Sequence, residues 1–319
     1  MDRDQLFTHV AREITALLEV RPTSPHVLGL QAPQGFGKTF LVQRLEKHFG
    51  RETLLTLSLD DFYLPAGDLR QLATRNPLWR NRGLPGTHDV GLLRDVLAKI
   101  RRCGRAGTVH ALADTETGQE SASKVVELPR FDKTLNAGFG DRVSGGSDRR
   151  DLSQVRVVLL DGWCVGFRSP GKERKQDVDL ESWTYFLEGP GPVLTELEKV
   201  WDEYIDGWIV VELPLRRDGN QPEAAAENES ILQWVVKWRT EAEEKAAAAA
   251  KRNMLSPAQV AQFCEPYLVC YKLCALAFYD WLHRWKGGES HEGKLLHRFR
   301  VCDAARNVEE VDDAEDAHP

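Results

Sequence analysis

A chain of 319 residues, 42% of them hydrophobic, can bury one large core, and 29% charged residues is ordinary for a soluble protein. A formal net charge of −7 argues against a main task of holding nucleic acid, which calls for clustered excess Lys and Arg. No apolar run approaches membrane-spanning length, so no membrane role is expected.

Met1 to Phe7 carry neither a signal-peptide core nor an Arg-rich, acid-poor transit pattern, so cytoplasm is the default expectation, with the nucleus left open. Leu6 to Leu18 has apolar residues at helical spacing and is expected to end before Pro22 and Pro25. The short apolar run Val27 to Leu30 leads into Gln31-Ala32-Pro33-Gln34-Gly35-Phe36-Gly37-Lys38-Thr39 and a helical stretch to about Phe49: strand, glycine-rich loop, helix. A second β-rich run, Thr53 to Leu59, ends at Asp60-Asp61-Phe62-Tyr63. Asn76 to Asp89 is rich in Pro, Gly and Arg and reads as a loop, and Val90 to Arg101 as a helix. Residues 104–124 turn small and polar and are expected to form a surface insertion before a short strand, Val125 to Leu128. Residues 138–151, rich in Gly, Ser, Asp and Arg, are expected to be mobile.

Val155 to Leu160 is a continuous apolar strand but for Arg156, as in parallel strands covered on both faces, and it ends at Asp161-Gly162-Trp163. A helix at Val193 to Asp202 and a strand at Trp208 to Leu213 follow. Next come a long helix from Glu227 to Arg252, a helix N-capped by Ser256 and running to about Trp285, and a last strand from Leu295 to Cys302. The acidic tail 309–319 reads as disordered. Alternating strands and helices imply an α/β fold: one domain over residues 1–308, with a mostly parallel, doubly wound sheet of about five strands. Six scattered cysteines form no C-x-x-C pair and read as free thiols suited to a reducing compartment. His283, His291 and His297 lack metal-helix spacing and read as ordinary histidines, while Trp234 and Trp238, four apart, are expected to pack on the core.

The strongest chemical signal is Gly35-Phe36-Gly37-Lys38-Thr39. A phosphate cradle needs inward-pointing backbone N–H groups that side chains would block, and the following helix offers its positive end. Gln34, Gly35, Phe36 and Gly37 would line the cradle, Lys38 reach the β- and γ-phosphates of ATP, and Thr39 ligate Mg²⁺. The full pattern has Gly where this chain has Ala32. Asp60 and Asp61 follow a strand whose carboxyl end faces the ligand crevice; Asp60 is favoured as the base for a substrate hydroxyl, with Asp61 the runner-up. Asp161 stands where a second, metal-linked acid usually sits.

The order of these blocks with Arg82-Gly83-Leu84-Pro85-Gly86-Thr87-His88-Asp89, Leu128-Pro129-Arg130-Phe131-Asp132-Lys133 and Asp161-Gly162-Trp163 resembles the D-glycerate 3-kinase family. That family is more distantly similar to uridine kinase, phosphoribulokinase and pantothenate kinase. Later blocks, Trp234 to Glu241, Phe263 to Lys272 and Asp303 to Asn307, extend the likeness over residues 25–307. The resemblance implies a P-loop fold with a helical lid and C-terminal helices, and a transferase that phosphorylates the hydroxyl of a small molecule. D-Glycerate is the first choice; a nucleoside, pantothenate or sugar phosphate is the alternative, and a non-catalytic ATP-binding protein a third reading. Asp60 matches the family's base. The blocks holding His88, Asp89 and Lys133 line the acceptor site, where Arg82, His88 and Lys133 would hold a carboxylate. Arg239, and similarly Arg142, would fold over the phosphates as a lid arginine or else lie on a solvated face beside Glu241. The family commonly carries Glu where this chain has Asp161. A monomer and a homodimer are both left open.

Overall fold

A computed structural model describes residues 1–20, 25–105, 124–143, 148–216, 221–250, 256–286 and 296–311. Helix α1 (Arg3–Val20) precedes β1 (His26–Gln31), α2 (Lys38–Phe49) and β2 (Leu54–Ser58). Then come α3 (Ala66–Arg75), α4 (Val90–Arg105) and four short strands, β3 (Val125–Leu128), β4 (Phe131–Asp132), β5 (Asp141–Arg142) and β6 (Asp148–Asp151). The second half holds β7 (Val157–Gly162), α5 (Leu180–Glu188), α6 (Pro190–Tyr204), β8 (Gly207–Glu212) and α7 (Pro222–Ala250). It closes with α8 (Pro257–Cys270), α9 (Leu276–Lys286), β9 (Leu296–Val301) and β10 (Val308–Glu310).

The central sheet has six strands in the order β10-β9-β8-β1-β7-β2, one more than expected. Five run parallel, and β10 pairs antiparallel with β9 at the edge. Every residue of β1 and β8 is buried, so layers cover both faces, and the unbroken apolar runs follow from that. At the β8–β9 seam the Arg298 guanidinium donates to both carboxylate oxygens of Glu212 at 2.5 and 3.1 Å, a fully enclosed pair. Ser256 caps α8 in a reciprocal capping box with Gln259, as its position predicts. A π-helical turn, Tyr271–Ala275, joins α8 to α9. Trp238 is fully buried and Trp234 packs beside it. Among the described residues no helix is long and apolar enough to cross a membrane.

Three expectations need correction. The stretch 138–151 is not simply mobile: β5 pairs with β4, and β6 pairs with β3 along Val125↔Asp151 to Leu128↔Asp148. Polar side chains hid these strands, because backbone pairing and the buried faces of Val126 and Leu128 carry the hairpin. The acidic tail begins ordered, since buried Val308 and Val311 flank Glu309 and Glu310 and fix β10 against β9. Helix α4 runs on to Arg105. Most of the 104–124 insertion, residues 144–147, His291 and residues 312–319 lie outside the described residues.

Candidate functional site

Strand β1 feeds a loop that reverses at Gly35 (φ 74°) and Gly37 (φ 121°), left-handed positions that favour glycine. At Gly35 the need is also spatial: a Cβ there would lie 2.6 Å from Cβ and 2.9 Å from the carbonyl carbon of Trp238, so α7 presses its backbone onto the loop. Ala32 is not among the left-handed residues, and its methyl is buried in the core. Glycine is therefore not required there, and the departure from the full pattern leaves the turn intact. No side chain caps α2 at Gly37, so the first N–H groups of the helix stay available to an anion.

The Lys38 ammonium donates to the carbonyls of Ala32 (2.7 Å) and Pro33 (3.2 Å). Burial lowers its pKa, opposed by the charges of Asp161 and Asp60. Three outside contacts hold the loop. The Gln34 N–H donates to the Tyr271 hydroxyl in the π-helical turn at 2.9 Å. Arg306 Nε donates to the Gly35 carbonyl at 2.9 Å, while its Nη2 donates to Glu241 at 2.6 Å. Phe36 is buried edge-on to Trp238.

Strands β1, β2 and β7 bring the acids to the same end of the sheet. Asp161 lies in register with Leu30 of β1 and Ser58 of β2, just before the phosphate loop and the Asp60-Asp61 turn. Burial pushes the Asp161 carboxyl up to about 7, with Lys38 pulling it down and Asp60 pushing it up. Among the described residues no hydrogen bond engages this carboxylate. A half-buried carboxylate with no hydrogen bond among the described residues suits a hard cation with oxygen ligands, and the exposed Thr39 hydroxyl in the first turn of α2 is a second oxygen of that kind.

Asp60 and Asp61 take different tasks. Asp60 accepts from the Tyr63 hydroxyl at 2.7 Å and from the Lys133 ammonium at 2.5 Å. Burial alone would raise its pKa, but the Lys133 charge and these two bonds bring it down to about 2. Asp61 accepts the Phe131 N–H at 3.1 Å, anchoring β4, and burial raises its pKa.

The 82–89 block is knitted onto the same turn. Leu64 N–H donates to Thr87, Asp89 N–H donates to Phe62, and Tyr63 and His88 form a β-bridge. His88 is buried and stacks on Tyr63 with ring centroids 4.6 Å apart, and neither ring nitrogen has a partner. Burial pushes its pKa down to about 4 despite nearby Asp60, so the ring is neutral near pH 7. Lys38, Asp60, Tyr63, His88, Lys133 and Asp161 thus form one electrostatically linked group.

Other named residues sit further into the frame. Asp89 accepts the Leu92 N–H at 2.9 Å as the cap of α4 and pairs with Arg142 at 3.2 Å. Arg142 also donates to the Tyr63 carbonyl at 2.8 Å. Arg82 donates to the carbonyls of Gly138 (2.9 Å) and Phe139 (2.6 Å) and lies over the Phe131 ring. Arg239 follows Trp238 on α7 and stacks on Phe263 at 4.9 Å, whereas Glu241 pairs with Arg306. Tyr63, Tyr271 and Arg306 were given no role by sequence reasoning. Arg306 carried one local sign, its place in the Asp-Ala-Ala-Arg-Asn turn, where it adopts φ 72°.

The chain is 29% identical over 253 residues to the chloroplastic D-glycerate 3-kinase of Arabidopsis thaliana, covering 78% of this chain and 47% of that protein. It is 34% identical over 151 residues to a probable ATP-dependent kinase of Saccharomyces cerevisiae, covering 45% and 47%. It is a relative of D-glycerate 3-kinase and of fungal ATP-dependent kinases. The chain spans about half the length of the curated relatives it matches. The solved D-glycerate 3-kinase of Cryptococcus neoformans superposes with a TM-score of 0.69 at 26% identity, over 96% of this chain and 99% of that one. The fold is therefore that of a P-loop kinase, as the strand–loop–helix order predicts. No family model matches the chain.

Proposed function

We propose that the protein transfers the γ-phosphate of ATP to a hydroxyl of a small carboxylate, with D-glycerate as the acceptor. The observation that carries this reading is the Lys133–Asp60–Tyr63 cluster at the carboxyl end of β2, beside the phosphate loop. The likeness to D-glycerate 3-kinases supports the acceptor. The loop N–H groups and Lys38 hold the phosphates, and Thr39 and Asp161 hold Mg²⁺, which neutralises phosphate charge. Lys133 pairs with Asp60. An incoming carboxylate competes for that ammonium, and Asp60, relieved of it, becomes a stronger base for the acceptor hydroxyl. Neutral His88 offers one donor and one acceptor to the substrate's hydroxyl groups. Arg239, next to the Trp238 that packs on the phosphate loop, serves as a lid arginine. A cytoplasmic location is in keeping with the free cysteines.

The test is a pair of substitutions read by glycerate-dependent ADP release. Asp60→Asn is expected to lower kcat by about 10²–10⁴-fold, the worth of a positioned base. Asp61→Asn is expected to lower the melting temperature and leave most of kcat. The reverse pattern would make Asp61 the base.

A further inference from the structure

At the far edge of the sheet, three donor atoms from three elements converge. His9 Nε2 on α1 lies 3.3 Å from His297 Nδ1 on β9. The Glu310 Oε1 on β10 lies 3.5 Å from that same His9 nitrogen and 3.8 Å from that same His297 nitrogen. A point equidistant from three atoms with these separations lies about 2.1 Å from each, the bond length of Zn²⁺ to imidazole nitrogen and carboxylate oxygen. Drawing Glu310 in by a few tenths of an ångström lifts the ion out of that plane and leaves a fourth, solvent-facing position. Glu310 is free to make that move, since its side chain is 47% exposed, whereas His9 and His297 are only 11% and 17% exposed and so preset.

We propose that His9, His297 and Glu310 bind a late first-row divalent cation, Zn²⁺ being the fitting one, which fastens the amino-terminal helix to the β9–β10 hairpin. Imidazole with carboxylate is a donor set that selects Zn²⁺ over Mg²⁺. A supporting group is already in place: Glu13 lies 3.3 Å from Nε2 of His297, where a carboxylate orients the coordinating ring and holds its proton on the far nitrogen. The site was not legible as a motif because its ligands are 288 residues apart in the chain and share no element.

The same groups form a chain of hydrogen-bond contacts from Arg12 through His9 and His297 to Glu13. Arg12 Nη2 lies 3.3 Å from Nδ1 of His9, placing that ring's proton on Nε2, which points at His297. Coordination requires the proton to shift to Nδ1 and Arg12 to withdraw. Arg12 is 68% exposed and retains Glu13 as a partner, so the move is open to it. The ion would reinforce an existing tie, since Val308 N–H donates to the Met1 carbonyl at 2.9 Å. The turn between β9 and β10 carries Arg306, which holds Gly35, so the fastening reaches the phosphate loop through the backbone.

The full chain, stripped with a chelator, is titrated with Zn²⁺ against a chromophoric competitor in millimolar Mg²⁺, and its melting temperature is recorded with and without Zn²⁺. One Zn²⁺ per chain and a raised melting temperature are expected. Both His9→Gln and Glu310→Gln are expected to weaken binding at least tenfold, and Glu13→Gln by about tenfold. Arg12→Ala is expected to bind as tightly as wild type or more tightly. Co²⁺ loading is expected to give the bands of a four-coordinate ion without sulfur-to-metal charge transfer. Retention of stoichiometric binding in either ligand variant would overturn the proposal, as would a charge-transfer band placing the ion on a cysteine such as Cys302. Failure of the wild type to bind Zn²⁺ would overturn it as well.

Discussion

Removing the Lys133 ammonium while keeping its stem, as in Lys133→Met, separates the two roles assigned to that residue. Together with the Tyr63 hydroxyl it holds Asp60 at about 2 against an ordinary 3.8. A shift of that size corresponds to roughly 2.5 kcal/mol in favour of the charged carboxylate. Because the Lys133 side chain is 54% exposed and water screens it, we expect about 1 kcal/mol of folding stability at neutral pH. The sign follows from a depressed carboxyl: the contribution is present above pH 3.8 and fades as pH falls towards 2. Lys133→Met should thus melt earlier at pH 7, and its deficit should shrink on acidification. In catalysis the lost charge-assisted bond to the acceptor carboxylate should raise KM for D-glycerate by about 10–100-fold. The KM for ATP should stay unchanged. The assay is ADP release at varied acceptor and fixed Mg²⁺-ATP, paired with thermal melts from pH 7 downward. A wild-type KM for D-glycerate in this variant would refute the carboxylate-binding role.

Two further substitutions probe the phosphate loop. Gly35→Ala combines a left-handed φ of 74° with a methyl 2.6 Å from the Trp238 Cβ, and is expected to cost about 2–4 kcal/mol and to abolish measurable ATP binding by calorimetry. Arg306→Ala removes the bond to the Gly35 carbonyl while leaving Lys38 and Thr39 in place. It should weaken ATP binding by about 5–10-fold with little change in the KM for D-glycerate, as one hydrogen bond is worth.

Legibility in the sequence followed the range of the forces involved. Phosphate loop, strand and helix are contiguous, so Gly35 to Thr39 could be placed on their elements from residue order. Asp60 and Asp161 were legible as strand-end acids because parallel strands send their carboxyl ends to one side. The division of labour between Asp60 and Asp61 was not, since it depends on which one meets Lys133 and which one meets the Phe131 N–H. Nor was the use of Asp89, whose short side chain serves the α4 cap in the folded chain. Arg306 and Tyr271 reach the loop only through tertiary packing, from 271 and 237 residues away. β10 escaped notice because two buried valines outweigh the acidic residues between them.

The central claim is tested most directly by ADP release from Mg²⁺-ATP with D-glycerate, uridine, pantothenate, ribulose 5-phosphate or no acceptor. The account predicts stimulation by D-glycerate alone, lost in Asp60→Asn. Stimulation by uridine or ribulose 5-phosphate would contradict the carboxylate assignment of Lys133, and stimulation by pantothenate would contradict D-glycerate as the acceptor. ATP binding without stimulation by any of them would contradict the phosphotransferase itself and favour a non-catalytic ATP-binding role.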